Sequence, residues 1–176
     1  DINNKATITG SIVIPSINWT PIGNNIFRTK INWSTPALIQ NGKWMFYSQT
    51  PDQPDSEDQT DLSQFILVNM TENNVSGVSP KQELVDTRFF TQPDDYWNGA
   101  ELLIYNRYPN AIGSYKIIDY IASEHKVIFE YSKDRILYPG DKFAIRNHLS
   151  ALTKPGEWFI NKSSNDYDIY VRPFDG

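Results

Sequence analysis

Leu149-Ser-Ala-Leu-Thr-Lys-Pro-Gly-Glu-Trp-Phe-Ile-Asn161 runs, after a short polar gap, into Tyr167-Asp-Ile-Tyr-Val-Arg-Pro173. Pro155-Gly156 is turn chemistry, because proline presets φ and glycine accepts a positive one. Trp158-Phe159-Ile160 then starts a bulky strand, and its tryptophan reads as a core residue. Residues 167–171 form a second strand. Pro173 closes it, since proline has no N–H to give to a ladder.

Working outward, the same signals repeat. Ala6-Thr-Ile-Thr-Gly-Ser-Ile-Val-Ile14 alternates and is β-branched, which predicts a strand halted by Pro15. Ile26-Phe-Arg-Thr-Lys-Ile-Asn-Trp33 is a second alternating run. Asn41-Gly42 between residues 37–40 and 43–47 predicts a β-hairpin with a type I′ turn, with Trp44 and Phe46 on one face and Met45 and Tyr47 on the other. Strands are expected at 64–69, 100–106, 115–121, 126–131, 142–146 and 157–160, with a polar loop over 71–78. Ser79-Pro80-Lys81-Gln82 resembles a capped helix start and predicts the one short helix, over 83–87. About ten short strands without helical periodicity indicate an all-β chain, either β-sandwich-like or part of a β-helix. Its 176 residues, with no linker and no repeat of constant period, are read as a single module, 1–176.

Composition excludes several functions. A net charge of −5 with scattered Lys and Arg offers no basic stripe for nucleic acid. The apolar runs are too short to span a bilayer as helices. Cysteine is absent, which removes disulfides, thiolate metal sites and cysteine nucleophiles. His125 and His148 share no metal-ligand spacing, and no nucleophile elbow, P-loop or dinucleotide fingerprint occurs. The acidic loop carrying Asp52, Asp55, Glu57, Asp58 and Asp61 admits a calcium reading, since hard cations take carboxylate oxygens. It lacks the glycine and terminal glutamate of an EF-hand loop, and the competing reading is a solvated loop. No cofactor is expected.

From Tyr96 onward the sequence resembles a known group. Tyr96-Trp-Asn-Gly-Ala-Glu-Leu-Leu-Ile104, Tyr138-Pro-Gly140, Phe143-Ala-Ile-Arg-Asn-His-Leu149, Leu152-Thr-Lys-Pro-Gly-Glu-Trp-Phe159 and Ile169-Tyr-Val-Arg-Pro173 are similar to segments of large extracellular bacterial proteins. Those proteins carry a right-handed parallel β-helix and are related to pectate-lyase-like proteins. The resemblance covers about the last 80 residues. Where that group has an aspartate before Pro-Gly-Glu-Trp and a tyrosine after it, this chain has Lys154 (or Thr153) and Phe159. The resemblance implies an extracellular β module inserted near the start of a helix whose catalytic coils lie downstream. Catalytic positions cannot be carried over, because the matching residues are absent.

Aromatic residues make up 14% of the chain, including five Trp and ten Tyr, enough to supply flat faces for stacking on sugar rings. The candidate ligand-binding residues are Trp97, Tyr96, Trp44, Trp33, Trp19, Asp95 and Arg107. Trp97 ranks first, because it lies in the polar turn Asp94-Asp-Tyr-Trp-Asn-Gly99; it is either a ligand platform or a plug over the core. No catalytic set is assigned: Asp94, Asp95 and Glu101 could be paired carboxylates only at a separation that sequence does not give. The expected function is a non-catalytic carbohydrate-binding module, attached to or part of a larger carbohydrate-active protein, with a polysaccharide as partner. The alternatives are a structural cap or spacer of a β-helix, and a polysaccharide hydrolase or lyase.

Overall fold

The computed structural model describes residues 11–53, 61–74, 81–107, 111–130 and 137–175, with 70–74 described by their backbone. The described residues are all-β: 48% strand against 7% helix, the latter in single turns, so the architecture is that of a β-sandwich. The first strands are β1 (Thr20–Gly23), β2 (Ile26–Ile31), β3 (Ile39–Gln40), β4 (Lys43–Trp44), β5 (Phe46–Tyr47) and β6 (Gln49–Thr50). The middle of the chain gives β7 (Ile66–Leu67), β8 (Met70–Asn74), β9 (Lys81–Val85), β10 (Glu101–Asn106) and β11 (Ala111–Ile121). β12 (Lys126–Glu130), β13 (Lys142–Arg146), β14 (Glu157–Ser163) and β15 (Asp166–Arg172) complete the fold.

Two sheets carry it. One has the order β1-β2-β15-β14-β5; the other runs β6-β13-β10-β11-β12-β9-β8, with β7 added against β13. β3 and β4 form a separate hairpin. Among the described residues β5 and β14 are the one parallel pair, so this region is built from antiparallel ladders rather than stacked parallel coils. Of the two expected alternatives, the β-sandwich is the one the described residues form.

The larger sheet folds over on itself through β11. Its first half pairs with β10 and its second half with β12. Ile117 and Tyr120 are both buried although three residues apart, which a strand of period two cannot arrange. The register shift between Ile117 and Asp119 supplies the extra residue, a bulge that bends the strand. The bend brings Leu102, Ile104, Phe143 and Ile145 into one apolar core with Leu84, Val127 and Phe129. β10 and β13 are covered on both faces, because Leu103 and Ala144 pack with Phe65 on the other side. The smaller sheet has its own core around Trp158, Ile169, Val171 and Met45.

The Pro155-Gly156 turn is held from within. The buried Glu157 carboxylate accepts the backbone N–H groups of Thr153 and Lys154, each at 2.7 Å. Burial pushes its pKa up, against those two donors. Gly156 has φ +86° and lies under the Phe174 ring, into which a Cβ would run. Asn41 and Gly42 both have positive φ (51° and 79°), as the hairpin requires.

Four expectations are corrected. Residues 11–14 belong to no strand; a β-branched pattern does not suffice, because a ladder also needs a partner edge. The short helix over 83–87 is instead β9, with Gln82 and Leu84 turned inward between neighbours β8 and β12. Sheet pairing overrides the local cap signal there. The loop over 71–78 begins as β8, an edge strand whose polar sequence suits an unpaired rim. The hairpin ladder is two residues long, and at Met45 the chain leaves it for the main sheet as β5. Trp44 faces solvent and Phe46 is half-buried, while Met45 and Tyr47 both pack in the core of the smaller sheet. Residues 6–10, Asp55, Glu57, Asp58, Ser79 and Pro80 lie outside the described residues.

Two stability predictions follow from these contacts. Trp158→Ala removes the largest fully buried side chain and should cost about 3–5 kcal/mol, read as a lower urea midpoint at unchanged slope. The second concerns Asp86, whose Oδ1 accepts the N–H groups of Arg88 (2.9 Å) and Phe89 (3.1 Å) while its Oδ2 meets the Arg88 guanidinium at 2.7 Å. Burial alone would raise its pKa, but Arg88 and the two amides outweigh that and hold it below its ordinary value. A lowered folded pKa means the ionised form stabilises the fold above the ordinary carboxylate pKa and ceases to do so as pH falls through the folded one. The stability advantage of the natural protein over Asp86→Asn should therefore shrink on acidification, measured by denaturation at a series of pH values. A pH-independent difference would refute it.

Candidate functional site

Three of the sequence-selected tryptophans line one open cleft of about 950 Å³ on the smaller sheet. Trp19 precedes β1, Trp33 follows β2, and Trp44 is on β4, so three separate segments converge. The floor is core. Phe27, Met45 and Val171 belong to the apolar cluster around Trp158, and Trp19 packs against it half-buried. Trp33 and Trp44 join none of the buried clusters of the described residues; Trp33 is half-buried and Trp44 is 63% exposed. Residues 11–14 and the turn 34–38 complete the walls.

The polar groups of the cleft are few and neutral. Thr35 Oγ1 donates to the Ala37 carbonyl at 2.6 Å and accepts the Ala37 N–H at 3.4 Å, so this hydroxyl holds its own turn. Gln40 Oε1 accepts the Phe174 N–H at 3.0 Å, which orients the amide. Ser34, Asn41 and Ser16 stand at the exposed rim. None of the described lining residues is Asp, Glu, Lys, Arg or His. The described lining can therefore offer ring faces, amides and hydroxyls, and none of its side chains is a general acid or base.

The remaining selected residues lie elsewhere. Trp97 is 3% exposed and belongs to the core of the larger sheet. Its indole stacks on Phe89 with centroids 5.9 Å apart, and its Nε1–H donates to Gln92 Oε1 at 2.8 Å. Both ring and N–H are thus occupied, which selects the plug reading over the platform reading. Tyr96 is partly exposed and packs edge-on against Trp97. His148 contacts both rings, and burial pushes its pKa down, favouring the neutral imidazole. Asp95, at φ 63°, accepts from Asn98 Nδ2 at 2.7 Å and fixes its turn, while Asp94 accepts the Ala122 N–H at 2.8 Å. Arg107 follows the far end of β10, six residues beyond Glu101, beside the turn pinned by buried Asp141. Asp95, Tyr96 and Trp97 are together; Arg107 and the cleft tryptophans are not with them.

A second polar group belongs to strand packing. Glu101 accepts from Asn147 Nδ2 and Ser114 Oγ, each at 2.6 Å, and Arg146 lies 5.6 Å from the Tyr47 ring centroid. Burial, reinforced by Glu101, pushes the Tyr47 pKa up to about 12, and burial lowers that of Arg146. At the described end of the acidic loop, Asp52 binds Thr153 Oγ1 at 2.8 Å and Lys154 at 3.4 Å. Among the described residues no group of three or more His, Cys, Asp or Glu could hold a metal ion, and no helix is long and apolar enough to cross a membrane.

Sequence reasoning missed the cleft because it ranked each tryptophan by its own neighbours. The usable signal was Trp33-Ser-Thr-Pro36, a tryptophan leaving a strand into a turn, followed by Trp44 just past the Asn41-Gly42 corner.

No protein-family model matches this chain, and no curated protein sequence matches it. A solved structure described as "Glycoside hydrolase" superposes on 90% of this chain with a TM-score of 0.57 at 12% identity. The match spans 28% of that protein, and at this identity it shows a shared fold.

The geometry separates the tryptophans by their effect on folding. Trp97→Ala should lower stability by about 3 kcal/mol, whereas Trp44→Ala should stay within about 0.5 kcal/mol of the natural protein, compared by thermal melting. Equal losses would contradict the placement.

Proposed function

We propose that this chain is a non-catalytic carbohydrate-binding module of an extracellular polysaccharide-degrading system, attached to a larger carbohydrate-active protein. It binds glycan in the Trp19–Trp33–Trp44 cleft by aromatic stacking and polar contacts. The observation that carries the reading is the convergence of three tryptophans, two of them outside the buried clusters, on an open cleft whose described lining has no ionisable group. Large indole faces left in water are costly to solubility and suit a partner with its own apolar faces. The extracellular placement rests on the resemblance of the last 80 or so residues to exported bacterial proteins. The fold shared with a glycoside hydrolase structure is compatible with it.

Hydrolysis finds less support. A glycosidase needs two carboxyl groups flanking the bond, and Asp94, Asp95 and Glu101 each spend an oxygen on a structural hydrogen bond away from the cleft. The spacer reading is favoured by one observation: Ile12, Val13 and Ile17 are 63%, 81% and 89% exposed, aliphatic groups that suit polypeptide better than sugar.

Affinity electrophoresis against a panel of soluble polysaccharides tests the proposal. Retention should fall by about tenfold or more in Trp33→Ala and Trp44→Ala, as for aromatic hot spots, with unchanged melting. Absence of retention by the folded protein on every glycan would reject it.

A further inference from the structure

Resting on that reading, we infer that the cleft selects an uncharged glycan over a polyuronate and binds it without a metal ion. The first ground is charge. A uronate chain carries a carboxylate on every ring, and moving carboxylates against an apolar wall is costly unless cations or hydrogen-bond donors replace the lost water. Arg and Lys are the usual donors, and the described lining has neither.

The described cations nearest in sequence have partners of their own: Arg172, between Val171 and Pro173, donates to the Leu152 and Thr153 carbonyls at 3.3 and 2.8 Å. Arg28 grips Asp168 at 2.8 Å, and Lys30 faces Asp166 at 3.9 Å. Lys43, next to Trp44, lies over the Phe174 ring at 5.8 Å. A net charge of −5 adds a field that disfavours a polyanion.

The second ground concerns the metal. Calcium could bridge protein and uronate only through protein oxygens, ordinarily with carboxylates among them. The described cleft wall has no Asp or Glu. Asp52 and Asp61, the described members of the acidic loop, are not lining residues.

The third ground is what the cleft does contain. Amides and hydroxyls both donate and accept, which matches sugar hydroxyls. Gln40 Oε1 is held by the Phe174 N–H, so its Nε2 is the end left to donate. With Thr35 committed to its turn, Gln40 and the rim residues Ser16, Ser34 and Asn41 are left to bond hydroxyls around the stacking faces of the tryptophans. The ligand class that fits is a pyranose chain with equatorial hydroxyls, whose ring faces expose C–H groups, such as a β-1,4-linked glucan or xylan backbone.

The test is affinity electrophoresis of the whole chain and of Trp44→Ala in gels containing hydroxyethylcellulose, glucomannan, xylan, polygalacturonate or alginate. Each gel is run at low and high salt and with EDTA or calcium. The expected result is retention on at least one neutral glycan, unchanged by salt, EDTA or calcium, and about tenfold weaker in Trp44→Ala. Trp44-dependent retention on polygalacturonate or alginate as strong as on any neutral glycan overturns this inference while leaving the binding-module reading intact. So does neutral-glycan binding that EDTA abolishes. Retention on none of the five, by folded protein, removes both.

Discussion

The pairing of β14 with β15 is the constraint on which the smaller sheet depends. Seven residue pairs, from Glu157↔Arg172 to Ser163↔Asp166, fix which side chains face the core. A one-residue slip would turn Trp158, Ile169 and Val171 to the opposite face. β15 then receives β2, and β14 receives β5, so both outer parts of the sheet inherit their register from this pair. The cleft inherits it too. Val171 and Pro173 come from β15 and its exit, Phe27 from β2, and Met45 from the entry to β5. The Glu157 carboxylate and the positive φ of Gly156 hold the approach to β14.

The two sheets differ in how they close. The larger closes through a bulge in β11, which lets one strand serve two halves of a folded sheet. The smaller closes less completely, and its open side is the cleft. This asymmetry explains the two fates of tryptophan. Trp97 reaches a core already shaped by the bend and finds a stacking partner and an acceptor for its N–H. Trp33 and Trp44 join none of the buried clusters of the described residues.

Most strands were legible from alternation and turn chemistry, because both signals are local. β10, β12, β13, β14 and β15 fall where Leu102–Ile104, Val127–Phe129, Phe143–Ile145, Trp158–Ile160 and Ile169–Val171 place them. β9 and β8 were not legible. Ser79-Pro80 and Gln82 imitate a helix cap, and only the neighbours on either side of β9 override that preference. The bulge in β11 was hidden as well, since Ile117-Ile118 and Tyr120-Ile121 fit either face on paper. Three cleft tryptophans were in the candidate set, but their grouping was not readable: Trp19 and Trp33 flank the β1–β2 pair, and Trp44 joins them only where the chain enters the β2–β15–β14–β5 order at β5. Trp97 was ranked first for its polar neighbours, yet Asp94, Asp95 and Asn98 spend their polarity on the turn that lays the indole over the core.

The cleft itself has a rigid wall and a lightly braced one. Trp19 packs on the floor cluster, and Phe27 beside it is on a strand with neighbours on both sides. Trp44 stands on a hairpin held by a two-residue ladder and by the Met45 N–H to the Leu38 carbonyl at 2.9 Å. Few backbone bonds and high exposure put that hairpin at the low end of local stability. Yet tryptophan has only two side-chain rotors, and the Asn41-Gly42 turn restricts its own backbone, so ordering Trp44 against a ligand costs less than ordering a long flexible side chain. In the proposed binding role the rigid wall would set the ligand's position, and the hairpin would adjust to its thickness. A site of this construction tolerates variation along a polymer better than a closed pocket does, which suits a chain-like ligand more than a single small molecule.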